Sequence, residues 1–118
     1  MKKFINNVDD FLKESLNGFG KAHSDIIKVN FEPNFISRKT KTKEGKVSLI
    51  SGGGSGHEPM HGGFVGHGML DAACPGFVFS APTPDQMQAA AENVDSGAGC
   101  LLYTSDAADE GLGVDLCV

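Results

Sequence analysis

Four of the five residues at positions 52–56 are glycine, and they directly follow a short, largely apolar run at positions 47–50. The run predicts a buried strand, and the glycines permit backbone angles that other residues resist. Pro59 comes next and suits the first turn of a helix. This order of strand, glycine turn and helix start predicts a ligand site at the carboxyl end of a strand, where open α/β sheets bind ligands.

Three familiar motifs compete to explain this stretch. A P-loop requires a lysine after its last glycine, but His57 and Glu58 follow Gly56. The dinucleotide fingerprint G-x-G-x-x-G fails because its last glycine position is filled by His57 or by Pro59. Residues 57–61 match the zinc-protease signature H-E-x-x-H literally. That signature needs both histidines on one face of an established helix, which a preceding glycine run and a proline at the third position oppose. A zinc hydrolase is therefore the less favoured alternative, beside a glycine turn with incidental histidines.

An amphipathic helix is predicted near the amino terminus. Apolar residues recur at helical spacing across positions 4–19, with Asn6 or Asn7 placed to cap the start and Gly18 and Gly20 marking the end. Such an apolar stripe is typical of a helix face that packs on a core.

The later segments alternate between strand and helix patterns. Further strands are predicted at positions 26–31, 34–37 and 77–79. A second helix opens at Thr83, the predicted N-cap, with Pro84 at the first helical position and Gln86 reaching back as in a capping box. It is predicted to end near Val94. The alternation predicts an α/β fold with a mostly parallel sheet and flanking helices.

Charge, hydropathy and cysteine content limit the cellular compartment and the classes of partner that are expected for this chain. The net charge of −5 disfavours nucleic acid as a partner. No apolar run approaches a membrane span, and the first residues lack the apolar core of a signal peptide. The 3 cysteines (Cys74, Cys100 and Cys117) are odd in number and lack metal-site spacing, so no disulfide framework is expected. We expect a reduced, cytoplasmic protein that contacts neither nucleic acid nor membrane.

A longer pattern is more specific than any of these motifs. It comprises Ser-Gly-Gly-Gly-Ser-Gly-His-Glu-Pro-Met-His at positions 51–61 and further fixed glycines, prolines and apolar residues at positions 1–6, 62–66, 68–70, 73–76 and 80–85. Together these stretches resemble the dihydroxyacetone-binding domain of the dihydroxyacetone kinase family. The resemblance covers residues 1 to about 99 and implies that they form the N-terminal part of a larger domain, so the sheet is expected to be incomplete.

The resemblance also implies a reaction and a set of site residues. The family transfers a phosphoryl group to dihydroxyacetone, giving dihydroxyacetone phosphate. Backbone N–H groups of Gly54, Ser55 and Gly56 are expected to bind the substrate oxygens, because glycines leave the loop backbone open to a ligand. His57, the expected catalytic residue, would hydrogen-bond the reacting hydroxyl and help to deprotonate it, a role that suits imidazole near neutral pH. His61 and His67 are interpreted as structural or pocket-lining residues.

The same resemblance places other parts of the machinery outside this chain. No metal site is expected here, and ATP or ADP with Mg²⁺ is expected on a separate nucleotide-binding subunit or domain. A homodimer is expected for the full-length protein. The family's second, covalently acting histidine and the aspartate that partners His57 are not in this sequence. Whether the donor is ATP or a phosphotransferase relay stays open, and a non-catalytic dihydroxyacetone-binding transcriptional coactivator of the same family is the main alternative.

The final residues do not continue the family pattern. Residues 100–110 resemble the conceptual translation of a transposase-based sequencing adapter read in frame. We therefore expect the natural sequence to stop near Gly99 and residues 100–118 to be a non-native tail. Asp106 and Asp109 then inherit no role from the family. The fragment alone is expected to be inactive and poorly folded, because it would expose a sheet that lacks its remaining strands and helices.

Overall fold

The structure is a computed structural model that describes residues 1–104 and 115–117. Two helices and a short 3-10 helix surround a sheet of six strands in the order β1-β2-β4-β3-β5-β6. The elements in chain order are α1 (Phe11–Ala22), β1 (Ile27–Asn30), β2 (Phe35–Arg38), β3 (Ser48–Ser55), the 3-10 helix (Gly62–Phe64), β4 (Ala72–Val78), α2 (Pro84–Val94), β5 (Cys100–Thr104) and β6 (Asp115–Cys117). The predicted α/β fold with flanking helices is confirmed.

The sheet is mixed, with its parallel pairs at the centre. β3 pairs in parallel with β4 on one side and with β5 on the other. The outer pairs β1–β2, β2–β4 and β5–β6 are antiparallel. β1 and β2 are joined by a short connection, which permits only antiparallel pairing. The predicted parallel arrangement therefore describes the three central strands, whose carboxyl ends lie at one edge of the sheet.

Each face of the sheet has its own apolar core. On the face covered by α2, the buried cluster comprises Phe35, Ile50, Ala72, Cys74, Met87, Ala90, Val94 and Cys100. On the face covered by α1, it comprises Leu16, Ile27, Ile36, Val65 and Ala73. Neighbouring residues such as Ala72 and Ala73 belong to different clusters because side chains alternate between the two faces of a strand. Of the predicted N-terminal stripe, Leu12, Leu16 and Phe19 pack against this core, whereas Phe4, Val8 and Phe11 are exposed.

Three predicted boundaries were wrong. β3 does not end before a glycine turn but continues through the glycines to Ser55, since residues 52–54 pair with β4. β4 likewise starts at Ala72 and runs through Pro75 and Gly76, whereas a strand was predicted only at positions 77–79. No helix begins at Pro59: turns lead to the 3-10 helix Gly62–Phe64 instead. In the two strands, pairing with neighbouring strands overrides the local preference of glycine and proline.

The first helix is displaced from its predicted position. It begins at Phe11, after Asp10, instead of following Asn6 or Asn7, and it continues past Gly18 and Gly20 to Ala22. Gly20 approaches Val29 so closely that a β-carbon there would lie 2.8 Å from the Val29 Cγ2 atom. This glycine therefore serves helix–strand packing and is not a stop signal.

The second helix has the predicted capping box. Thr83 Oγ1 accepts a hydrogen bond from the Gln86 N–H at 3.4 Å, and the Gln86 side chain accepts one from the Thr83 N–H at 2.9 Å. The side-chain Nε2 atom of Gln86 also donates to the carbonyl oxygens of Asn34 and Pro75, at 2.8 Å and 2.7 Å. This buried side chain fixes the start of α2 against β4.

None of the helices in the described ranges is both long and apolar enough to span a bilayer.

β5 occupies the place of the strand expected after α2 and pairs with β3 from Ser48↔Cys100 to Gly52↔Thr104. Asp106 and Asp109, which were expected to have no family role, lie outside the described residues. The non-native origin of residues 100–118 stays a prediction.

Candidate functional site

The carboxyl ends of β3 and β4 form the candidate site. The register between the two strands shifts between Gly54 and Ser55, so that Ser55 lies opposite Val78. Beyond the shift, the Phe79 N–H donates to the Ser55 carbonyl oxygen at 2.8 Å. The Ser55 hydroxyl donates to the Gly76 carbonyl oxygen at 2.7 Å. These bonds join the end of the glycine strand to the segment that leaves β4.

Glycine is required where that segment crosses the strands. A β-carbon on Gly54 would lie 2.7 Å from the Ser80 backbone nitrogen, and one on Gly76 would collide with the Ser80 carbonyl oxygen. Distances this short do not occur between real atoms of these types, so any larger residue would displace the backbone. The glycines therefore allow residues 79–81 to pack directly on the sheet.

His57 stands just beyond the end of β3 with its side chain exposed. Its ring contacts Phe79 in an edge-on arrangement, with ring centroids 5.4 Å apart and an interplanar angle of 74°. Beside it, the Gly56 N–H donates to the Glu58 carboxylate at 2.8 Å. Glu58 thus caps a turn and not a helix.

The predicted site residues lie together but differ in what they offer a ligand. Gly54 and Ser55 are buried in β3, and the Ser55 hydroxyl is occupied by Gly76. The Gly56 N–H, expected to bind a substrate oxygen, is occupied by Glu58. Of the four residues, His57 presents an exposed functional group.

His61 occupies a more enclosed position on the α1 face. Its Nδ1 atom lies 2.9 Å from the hydroxyl of Ser51, a buried residue of β3. Burial lowers the pKa of the His61 imidazole, and the nearby His57 lowers it further. The neutral ring is therefore the favoured form of His61.

A cavity of about 350 Å³ adjoins His61, between α1 and the glycine-rich end of β3. Its walls include Leu16 and Phe19 of the helix, Gly53 and Gly54 of the strand, and residues 58–63 of the following loop. The interpretation of His61 as pocket-lining agrees with this geometry. His57 does not line the cavity and lies instead beside Phe79.

The zinc-protease motif lacks its required geometry. Residues 57–61 form turns and not a helix, and the Nδ1 atom of His61 faces Ser51. Within residues 1–104 and 115–117, no three His, Cys, Asp or Glu side chains are grouped so that they could hold a metal ion. The donor set in this part of the chain therefore does not suit a divalent cation.

Comparison with known families identifies the domain that contains this loop. The model of the Dak1 domain matches residues 17–115, most of the chain. The chain belongs to the Dak1 family. This finding confirms the family resemblance inferred from the glycine loop and its flanking residues.

Dak1 relatives at high identity are subunits of dihydroxyacetone kinases. The chain is 50% identical over 110 residues to the dihydroxyacetone-binding subunit of the PEP-dependent dihydroxyacetone kinase of Escherichia coli, covering 90% of this chain and 31% of the relative. It is 44% identical over 120 residues to the corresponding subunit of a PTS-dependent kinase of Listeria innocua, covering 98% and 36%. The chain thus spans about a third of the length of the dihydroxyacetone-binding subunits it matches.

Solved Dak1 structures share the fold. The dihydroxyacetone kinase from C. freundii, in complex with AMP-PNP and Mg²⁺, aligns with a TM-score of 0.78 and 36% identity over 86% of this chain and 19% of that one. A dihydroxyacetone kinase operon co-activator aligns with a TM-score of 0.70 and 38% identity over 75% and 27%. The kinase and the co-activator therefore share this architecture.

Two neighbours of the Dak1 loop were not predicted from the sequence. Ser51 was read only as part of the glycine motif, and Phe79 only as the end of a strand. No sequence spacing links either residue to a histidine. The Ser51 contact arises because the loop after β3 folds back over that strand, and the Phe79 contact arises because the end of β4 lies beside the end of β3.

Proposed function

We propose that this chain is the substrate-binding part of a kinase that phosphorylates dihydroxyacetone to dihydroxyacetone phosphate. The observation that carries the proposal is the position of His57, exposed at the carboxyl end of β3 on the glycine loop of a Dak1 domain. The names of the Escherichia coli and Listeria relatives support dihydroxyacetone as the substrate. Residues 1–99 are the proposed native part of the domain.

In this proposal His57 is the catalytic base. Its imidazole accepts the proton of the substrate hydroxyl, whose oxygen forms a bond to phosphorus while the bond between phosphorus and the donor breaks. Gly54, Ser55 and Gly56 bring the backbone close to the small, uncharged substrate. The Gly56 N–H becomes available to a substrate oxygen when Glu58 releases it.

The phosphoryl donor is proposed to reside on a partner. Neither a P-loop nor a metal-ligand group occurs in the described part of the chain. We assign ATP or ADP and its Mg²⁺ to a nucleotide-binding subunit or domain. AMP-PNP and Mg²⁺ in the C. freundii kinase structure support this chemistry. A cytoplasmic location and a homodimer of the complete protein belong to the same proposal.

Substitution of His57 tests the catalytic role. The assay protein is a completed subunit, in which residues 1–99 are joined to the downstream part of the Escherichia coli relative and assayed with the other components of its PEP-dependent kinase. His57→Asn is expected to lower kcat by about 10²–10⁴-fold, the usual contribution of a general base. His67→Asn is the matched control, because His67 is exposed on a neighbouring loop and is expected to retain activity. Unchanged kcat in His57→Asn would exclude the proposed role.

A transcriptional coactivator is the second candidate. The alignment with a dihydroxyacetone kinase operon co-activator supports it. The remainder of the natural gene distinguishes the two candidates: a coactivator binds dihydroxyacetone, measured by calorimetry, but transfers no phosphoryl group when the kinase partners are supplied. The same nucleotide sequence, read past the codon for Gly99, tests whether residues 100–118 derive from an adapter.

A further inference from the structure

We propose that Phe79 is a positioning residue for His57, holding the imidazole in the orientation that receives the substrate proton. The inference rests on the proposed function, because it extends the role of His57. Phe79 lies on a different strand connection from the glycine loop, and four features of the structure connect the two.

The backbone of Phe79 is the first feature. Its φ angle of +52° lies in the left-handed region, which non-glycine residues rarely occupy. Strained conformations of this kind persist where the surroundings impose them, and they cluster at functional sites. Here the Phe79 N–H is held by the Ser55 carbonyl oxygen at 2.8 Å, and the Ser80 N–H is held by the Phe77 carbonyl oxygen at 3.0 Å.

The ring of Phe79 is the second feature, because it contacts His57 directly. The centroid distance of 5.4 Å and the interplanar angle of 74° match the edge-on geometry that aromatic pairs prefer. An imidazole on an exposed loop otherwise has little to restrict its side-chain rotation. The Phe79 ring on one side reduces the number of orientations that the imidazole samples before proton transfer.

Gly56 is the third feature, because its lack of a side chain leaves space for the Phe79 ring. A β-carbon on Gly56 would lie 2.7 Å from the Phe79 Cε1 atom, so the ring fills the place where a side chain would stand. The φ angle of Gly56, +106°, is also one that other residues rarely adopt. The loop is therefore shaped to admit the Phe79 ring beside His57.

Exposure is the fourth feature. Phe79 is 72% exposed, so it does not belong to either apolar core. Phe77, two residues earlier, is also 72% exposed and makes no ring contact with a histidine among the described residues. Phe77 is therefore a matched control: it has the same residue type, exposure and strand region but no contact with His57.

The experiment compares Phe79→Leu, Phe79→Tyr and Phe77→Leu in the completed subunit. Phe79→Leu is expected to lower kcat by about tenfold and to change the KM for dihydroxyacetone by less than about twofold, because orientation and not binding is lost. Phe79→Tyr keeps the ring and is expected to restore kcat to within about twofold of the parent. Phe77→Leu is expected to behave like the parent.

A spectroscopic measurement reports the contact itself. In protein labelled with ¹³C-histidine, the ring resonances of His57 are assigned by their absence from His57→Asn. Phe79→Leu is expected to shift them, since the shielding by the neighbouring ring is removed, whereas Phe79→Tyr and Phe77→Leu are expected to leave them close to their parent positions. If Phe79→Leu does not fold, Phe79→Met replaces it in both measurements.

Parent values of kcat and of the His57 resonances in Phe79→Leu would overturn the inference. An equal fall in kcat in Phe77→Leu would overturn it too, because the effect would then belong to the apolar patch. A raised KM with unchanged kcat would show that Phe79 binds substrate and does not position the base. If His57→Asn retains activity, the proposed catalytic role of His57 fails, while the resonance measurement still tests the contact.

Discussion

The two ends of the central parallel strands hold their polar groups in opposite ways. At the amino end, Asp71 is fully buried, and its carboxylate accepts hydrogen bonds from Arg38 at 3.1 Å, from Lys46 at 2.5 Å and from the Leu49 N–H at 2.8 Å. At the carboxyl end, His57 is exposed beside a residue with a strained backbone. A closed hydrogen-bond network stabilises one end, and an open arrangement leaves the other available to a ligand.

The pKa values reflect the same contrast. Burial raises the pKa of the Asp71 carboxyl, but the hydrogen bonds from Lys46, Leu49 and Arg38 more than offset this effect and leave the pKa below its usual value. At the other end, burial lowers the pKa of His61, and the nearby His57 lowers it further. Asp71 is held in its charged form and His61 in its neutral form.

The largest effect on stability is expected at the amino end. Asp71→Asn leaves the Arg38 and Lys46 charges without their buried partner, and breaking a buried ion pair on one side typically costs about 3–5 kcal/mol. The free energy of unfolding of the completed subunit, from urea titration, measures this cost. Asp85→Asn is the control, because Asp85 is an exposed carboxylate in the first turn of α2. Equal losses in both variants would remove the distinction between the two ends.

A smaller effect is expected at the carboxyl end, where the constraint is steric. Gly76→Ala places a β-carbon against the Ser80 carbonyl oxygen and is expected to cost about 1–3 kcal/mol by overpacking. It should also weaken dihydroxyacetone binding in calorimetry, since the segment that covers the glycine strand must move. Gly18→Ala is the matched control: its β-carbon meets no atom within 4 Å, and alanine in a helix is expected to stabilise by about 0.5–1 kcal/mol. Unchanged stability and binding in Gly76→Ala would contradict the close packing.

The sequence predicted features that depend on residues close together in the chain. Thr83 and Gln86 form the capping box, the strand through Ile50 is present, and His57 lies at the carboxyl end of that strand. Each of these follows from local hydrogen bonding or from the order of elements along the chain. The α/β class follows for the same reason.

The remaining features depend on contacts between distant segments. Glycine favours turns, so residues 52–54 were predicted as a turn, whereas the structure uses them as a strand that pairs with β4. At Gly54, Ser80 packs where a side chain would stand. The carboxylate of Asp71 gathers its partners from β2, from the connection before β3 and from β3 itself. The contact of Phe79 with His57 requires the register shift at Gly54 and Ser55. No single-sequence pattern encodes these pairings.

The smallest expected effect is a difference between the two ends of the central strands in how their contribution to stability depends on pH. A histidine whose pKa is lowered by folding contributes stability that is present above the unfolded value of 6.5 and is lost as the pH falls below it, because the unfolded chain then binds more protons. The contribution of Asp71, whose pKa is also lowered, is lost only below its unfolded value of 3.8. Lowering the pH from about 7.5 to about 5.5 therefore tests the contribution of His61 to stability without changing that of Asp71.

His61→Gln is expected to reduce the loss of unfolding free energy over that interval, by a modest amount because the half-buried imidazole is still partly solvated. His67→Gln, at an exposed loop position, should retain the parent's pH dependence. Urea titrations of the completed subunit at the two pH values give both differences. If His61→Gln and the parent lose equal stability, the pKa of His61 is not lowered by folding and the proposed contrast with Asp71 fails.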